Sequence, residues 1–147
     1  MKETRLIKLT KNIFLSILTT LILFSFESCA KKITFLTSSV VPAARGSVNV
    51  KRDKNKNYVI QIHLLHLAEV NRLQPPKQTY VVWMVTDQNI AKNLGQIKSS
   101  TSFLSKKIKG SLETVSAFKP TKIFITAEDD GSIQYPGMQV VLSTDNF

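Results

Sequence analysis

From Ile33 onward, short apolar stretches alternate with polar turns at a spacing that predicts strands. Tyr58 to Leu67 is the strongest, rich in β-branched and aromatic residues. Tyr58, Ile60, Ile62 and Leu64 share one face; Val59, Gln61, His63 and Leu65 share the other. Thr79 to Thr86 contains Tyr80-Val81-Val82-Trp83-Met84-Val85, apolar on both faces, which suits a strand central to a packed sheet. Ala91 to Lys98 reads as a strand with Gly95 inside it as a bulge or close-approach point. In Lys122 to Glu128, Ile123, Ile125 and Ala127 alternate against Phe124 and Thr126, and Met138 to Ser143 supplies a last strand.

Weaker segments lie between these. Ile33 to Val41 reads as a strand or a tether, and Arg45 to Lys51 as a short strand with Val48 and Val50 on one face. Phe103-Leu104 is a short strand or a loop anchor, and Leu112 to Val115 a short strand or turn. The punctuation is of turn type: Asp53 to Asn57, Glu69 to Lys77 with Pro75-Pro76, Asp87 to Asn89, Asp129-Asp130-Gly131 and Pro136-Gly137. About seven or eight short strands at regular spacing, with no internal repeat, predict an all-β fold: an antiparallel immunoglobulin-like β-sandwich following an N-terminal signal helix.

The first residues follow another pattern. Lys2, Arg5, Lys8 and Lys11 precede an uncharged run from Ile13 to Phe26, and Glu27-Ser28-Cys29 follows. A basic region, an apolar region and a small residue before a cut site make an export signal. The run is shorter than the roughly 20 residues a membrane-crossing helix needs, which disfavours the rival reading of a retained anchor. Cys29 is the single cysteine, so it forms no intrachain disulfide. The arrangement resembles a bacterial lipoprotein signal, with Phe26 at the usual leucine position and an acidic Glu27. That resemblance implies cleavage before Cys29 and a diacylglyceryl group on its thiol, which anchors stably. The expected organisation is a signal peptide over 1–28, a lipidated cysteine and tether over 29–39, and a β-sandwich over 40–147. The expected location is the bacterial cell envelope, on a membrane and facing the periplasm or exterior.

Charge adds one constraint. The chain carries 20 basic and 10 acidic residues; the signal holds four of the former and two of the latter, leaving a strong basic excess after cleavage. In an exported protein that excess points to anionic envelope surfaces or an acidic protein partner rather than to nucleic acid. Basic residues concentrate in Lys51, Arg52, Lys54 and Lys56 and again in Lys98, Lys106, Lys107 and Lys109. Together they form a candidate interaction patch if the fold brings them to one face; as edge residues they also oppose sheet-to-sheet aggregation.

The stretch from Gln74 to Leu142 bears a family likeness. Tyr80 and Trp83 lie in a strand after the Pro75-Pro76 loop; Gly95 follows in the next strand, then Thr126, Glu128, Gly131, Pro136 and Val140-Val141-Leu142. This ordering resembles the extracytoplasmic C-terminal domain of anti-sigma-K factors. The resemblance implies the sandwich fold and a sensing or partner-binding role linked to sigma/anti-sigma regulation. Direct sigma-factor inhibition is not carried over, because residues 1–12 are too short for the family's sigma-binding domain. Read as residues alone, Trp83 is a core anchor whose indole N–H needs a partner, and Glu128 is a turn or edge charge.

Catalytic chemistry is not legible. His63 and His66, the two histidines, fall on opposite faces of a strand and make a poor metal pair. Asp129-Asp130 beside Gly131 reads as a turn rather than a calcium site. No glycine-rich phosphate loop or nucleophile elbow is present. The expectation is a non-enzymatic envelope protein without cofactor or metal, binding a protein partner or sensing a signal. The alternative is a small-molecule or glycan-binding module that uses exposed aromatics among Tyr58, Tyr80, Trp83 and Tyr135.

Overall fold

The computed structural model describes residues 31–101 and 108–147, together with Ile13. The signal segment, Cys29, Phe103-Leu104, Lys106 and Lys107 lie outside the described residues. Nine strands are present among the described residues: β1 (Lys31–Thr34), β2 (Arg45–Arg52), β3 (Tyr58–Leu67), β4 (Thr79–Thr86), β5 (Ala91–Gln96), β6 (Lys98–Thr101), β7 (Ile108–Ser116), β8 (Pro120–Glu128) and β9 (Val140–Ser143). They form a five-stranded sheet in the order β1-β2-β3-β7-β6 and a four-stranded sheet in the order β5-β4-β8-β9, with every pairing antiparallel. With β1 set aside, this is the A-B-E-D and C′-C-F-G arrangement of an immunoglobulin-like sandwich.

The alternation read from the sequence builds the core. Ile60, Ile62 and Leu64 of β3 meet Val82 and Met84 of β4 and Ile123, Ile125 and Ala127 of β8 between the sheets. Burying each of the larger aliphatic side chains is worth about 1.5–3 kcal/mol. His66 then takes a left-handed φ of 59° at a register shift between Leu65 and Leu67, which turns Leu67 back into the core. The bulge foreseen at Gly95 is present: Val82 pairs with Gly95 and Trp83 with Asn93, and Gly95 has φ of 119°.

Three details correct the sequence reading. The sandwich begins at Lys31 rather than at residue 40, because Lys31–Thr34 pairs with β2 and Phe35 is buried in the core. The segment between Cys29 and the fold is therefore much shorter than a tether over 29–39. Leu112–Val115 belongs to a nine-residue strand, Ile108–Ser116, whose inward positions include Gly110, Thr114 and Ser116 as well as Ile108 and Leu112, which hid its length. The Ala91–Lys98 stretch divides between two sheets. β5 lies in one and β6 in the other, and buried Ile97 bridges them with its N–H donated to the Tyr80 carbonyl at 3.0 Å.

The registers define two poles. The 53–57, 87–90 and 117–119 connections and the start of β1 lie at the first pole; the 68–78 and 129–139 connections lie at the second. No helix among the described residues is long and apolar enough to cross a membrane.

Candidate functional site

The second pole is where the motif residues gather. Trp83 is fully buried, but it points away from Val82 and Met84, onto the outer face of the second sheet. There its Nε1 donates to Thr126 Oγ1 at 2.8 Å and its ring stacks on Phe124 at 6.3 Å between centroids. Asn93, its register neighbour, donates from Nδ2 to the carbonyls of Gly131 and Ile133. These bonds draw the 129–139 connection over the sheet. Gly131 packs against the Gln96 side chain, where a Cβ has no room.

Glu128 closes the other side of that connection. It is buried at the end of β8 and accepts the Gly137 N–H at 2.7 Å. This is a loop anchor rather than a free turn charge. Asp130 accepts from the Ser132 N–H and then from its hydroxyl, and both bonds hold its carboxyl below the usual range. Held at several points, the connection displays Tyr135 at 81% and Met138 at 102% relative exposure. Pro136 lies between them in the chain.

Two cavities flank Lys77, which pairs with Asp129 at 2.6 Å. One, about 340 Å³, is lined by residues that include Val70, Lys77, Tyr80, Ile97 and Ile108. Burial pushes the Tyr80 phenol up to about 12, and its hydroxyl donates to the Ala68 carbonyl at 3.0 Å. The other, about 400 Å³, is lined by Pro75, Lys77, Ala127, Glu128, Gly137, Met138 and Gln139. Gln139 Nε2 donates to the Gln74 carbonyl, while its Oε1 is buried with no hydrogen-bond partner. The Gln74–Pro75 peptide beside it is cis.

The motif residues thus fall on two faces of the second sheet: Tyr80 in the core between the sheets, and Trp83 and Thr126 on the outer face, while Glu128 anchors the connection that carries Gly131 and Pro136, and Gly95 sits in the bulge opposite Val82. Of the four candidate aromatics, Trp83 and Tyr80 are buried, Tyr58 is half-buried under the Arg52 guanidinium at 5.1 Å, and Tyr135 is exposed. Among the described residues, the basic residues lie in two places. Lys51, Arg52, Lys54 and Lys56 surround the turn at the first pole. Lys109 lies opposite Leu65, seven residues along β3 from Tyr58, about 24 Å away. Among the described residues, no group of three or more His, Cys, Asp or Glu is placed to hold a metal.

Lys77, Asn93, Gln139 and Met138 were not singled out from sequence. The one available signal was Tyr135 beside Pro136-Gly137, a large side chain in a loop; the pattern puts Met138 at the start of the last strand, which instead begins at Val140. No protein-family model matches the chain, and no curated protein or solved structure matches it either. Nothing in these comparisons identifies the outer domain of anti-sigma-K factors.

Proposed function

We propose that this chain is a non-enzymatic, lipid-anchored cell-envelope protein that binds a protein partner through its second pole. The observation that carries the reading is the braced 129–139 connection, which presents Tyr135 and Met138 to solvent. Large side chains held rigidly in the open lose little entropy on binding and act as interface anchors. The basic and apolar run before Cys29 supports the anchor. The likeness to anti-sigma-K outer domains supports a sensing role linked to sigma/anti-sigma regulation, exerted through a separate partner.

The test is capture of a partner from solubilised envelopes by the full chain. Tyr135→Ala and Met138→Ala together abolish capture while the fold is retained; equal capture by both proteins overturns the reading. For the anchor, Cys29→Ala releases the protein from the membrane and globomycin causes the precursor to accumulate; retention in the variant removes lipidation from the account.

A second reading is a small-molecule or glycan-binding module. The orphan Gln139 Oε1 at the 400 Å³ cavity favours it, since a bound hydroxyl would satisfy that acceptor. A ligand that binds there shifts the thermal midpoint, and Gln139→Leu removes the shift.

A further inference from the structure

The first pole carries an asymmetry that the partner-binding reading does not use. Lys51 and Arg52 end β2, and Lys54 and Lys56 occupy the turn; all four are exposed. Lys32, also exposed, lies opposite Asn49 on the neighbouring strand. The acidic residue within this group, Asp53, is turned into the loop. Its Oδ1 accepts the Asn57 N–H at 2.8 Å and its Oδ2 accepts from Asn57 Nδ2. Asp87 and Asp145 also lie at this pole, but on the side of the other sheet, where the Asp87 N–H donates to the Lys119 carbonyl at 3.2 Å. At the second pole the opposite charges are paired directly, Glu69 with Arg72 and Lys77 with Asp129.

The first pole is also where the chain arrives. Lys31 pairs with Val50, one residue before Lys51. Two residues on from Cys29, the chain can have travelled at most about 7 Å. A lipid on Cys29 therefore holds this pole at the headgroup layer, within reach of anionic phosphates. The 117–119 connection adds Lys119 and Phe118, whose ring lies under the Lys92 ammonium at 4.2 Å and which is 45% exposed.

We infer that the first pole is a docking surface for anionic phospholipid headgroups, which seats the sandwich end-on upon the membrane. The inference rests on the lipid-anchor reading. End-on seating directs the 129–139 connection away from the bilayer. It supplies the second, electrostatic contact that commonly accompanies an acyl anchor.

The test uses the full chain, purified in detergent and placed in vesicles of phosphatidylcholine alone or mixed with phosphatidylglycerol. Amine acylation read by mass spectrometry reports which lysines are covered. Lys51, Lys54 and Lys56 are protected on anionic vesicles and not on neutral ones, while Lys109 reacts equally on both. Lys51→Glu with Lys54→Glu removes the protection of Lys56 without releasing the protein. Equal acylation on the two vesicle types overturns the inference. So does the same protection from soluble polyphosphate, which shows a generic polyanion site. The Cys29→Ala chain separates the two readings: it still binds anionic vesicles in low salt, and the double substitution weakens that binding about 25-fold or more, at about five-fold per lysine lost. Binding by Cys29→Ala that is indifferent to lipid charge overturns the docking surface, whereas unchanged membrane retention in cells overturns only the anchor.

Discussion

Trp83 and Thr126 form a buried polar pair on the outer face of the second sheet, with 2.8 Å between indole nitrogen and hydroxyl and no measurable exposure of either residue. Thr126→Val keeps the shape and removes the acceptor. It strands the indole N–H and costs about 1–3 kcal/mol. Thr126→Ser retains the bond and costs less. Trp83 is the single tryptophan, so urea unfolding followed by its fluorescence reads this site directly. Equal stability of the valine variant and the native protein removes the pair's structural role.

Glu128 holds the 129–139 connection through the Gly137 N–H. Glu128→Ala costs about 1.5–3 kcal/mol, the range for a hydrogen bond to a charged group. It also raises the exchange rate of the Gly137 amide selectively. Exchange that rises throughout β8 and β9 instead indicates global unfolding and contradicts a local anchor.

Lys77 and Asp129 behave differently, because the acidic partner is largely exposed. Lys77→Met changes stability by no more than about 1 kcal/mol. Its effect is expected on partner or ligand binding between the two cavities. A large loss of thermal midpoint contradicts this assignment.

The Tyr80 phenol is raised to about 12 from 10.0 by desolvation. Below pH 10 both folded and unfolded chains keep the proton, so its contribution to stability is complete. Between pH 10 and about 12 the unfolded chain ionises first, and stability falls as pH rises through that window. Tyr80→Phe flattens this part of the stability profile; an unchanged slope assigns the loss to other groups.

At Gly95 there is space for a methyl group, with Leu112 Cδ1 3.8 Å away, but φ is 119°. Gly95→Ala therefore costs about 1–3 kcal/mol through backbone strain alone. Denaturant midpoints check it, and a neutral result means the bulge relaxes.

The strongest strands were legible because one property decides them. Tyr58–Leu67 and Thr79–Thr86 have the same bounds in the structure as in the pattern, since alternating or continuous burial leaves no other register. β7 was not legible as one strand, because Gly110 offers no side chain to the core and Ser111, Glu113 and Thr114 have side chains that water also accepts. β1 was obscured by its length, and it forms only because β2 offers a free edge. Trp83 was read as a core anchor, and it is buried, but a two-period pattern cannot say that a loop rather than the other sheet covers it. Likewise the clustering of Glu128, Gly131 and Asn93 depends on a connection that returns from the end of β8, which local spacing does not encode. The division of the basic residues between two poles follows from strand direction and became visible only with the register.

The short path from Cys29 into β1 has a mechanical consequence. β1 runs away from the pole at which the chain arrives and is bonded along its length to β2; Phe35 then donates to the Gly46 carbonyl and Leu36 to the Ser143 carbonyl of the other sheet. Tension between a membrane-held Cys29 and a partner on the far loops would pull β1 along its own axis. Its hydrogen bonds would then share the load in shear instead of opening one after another, so tugging at the anchor would not simply peel the domain open.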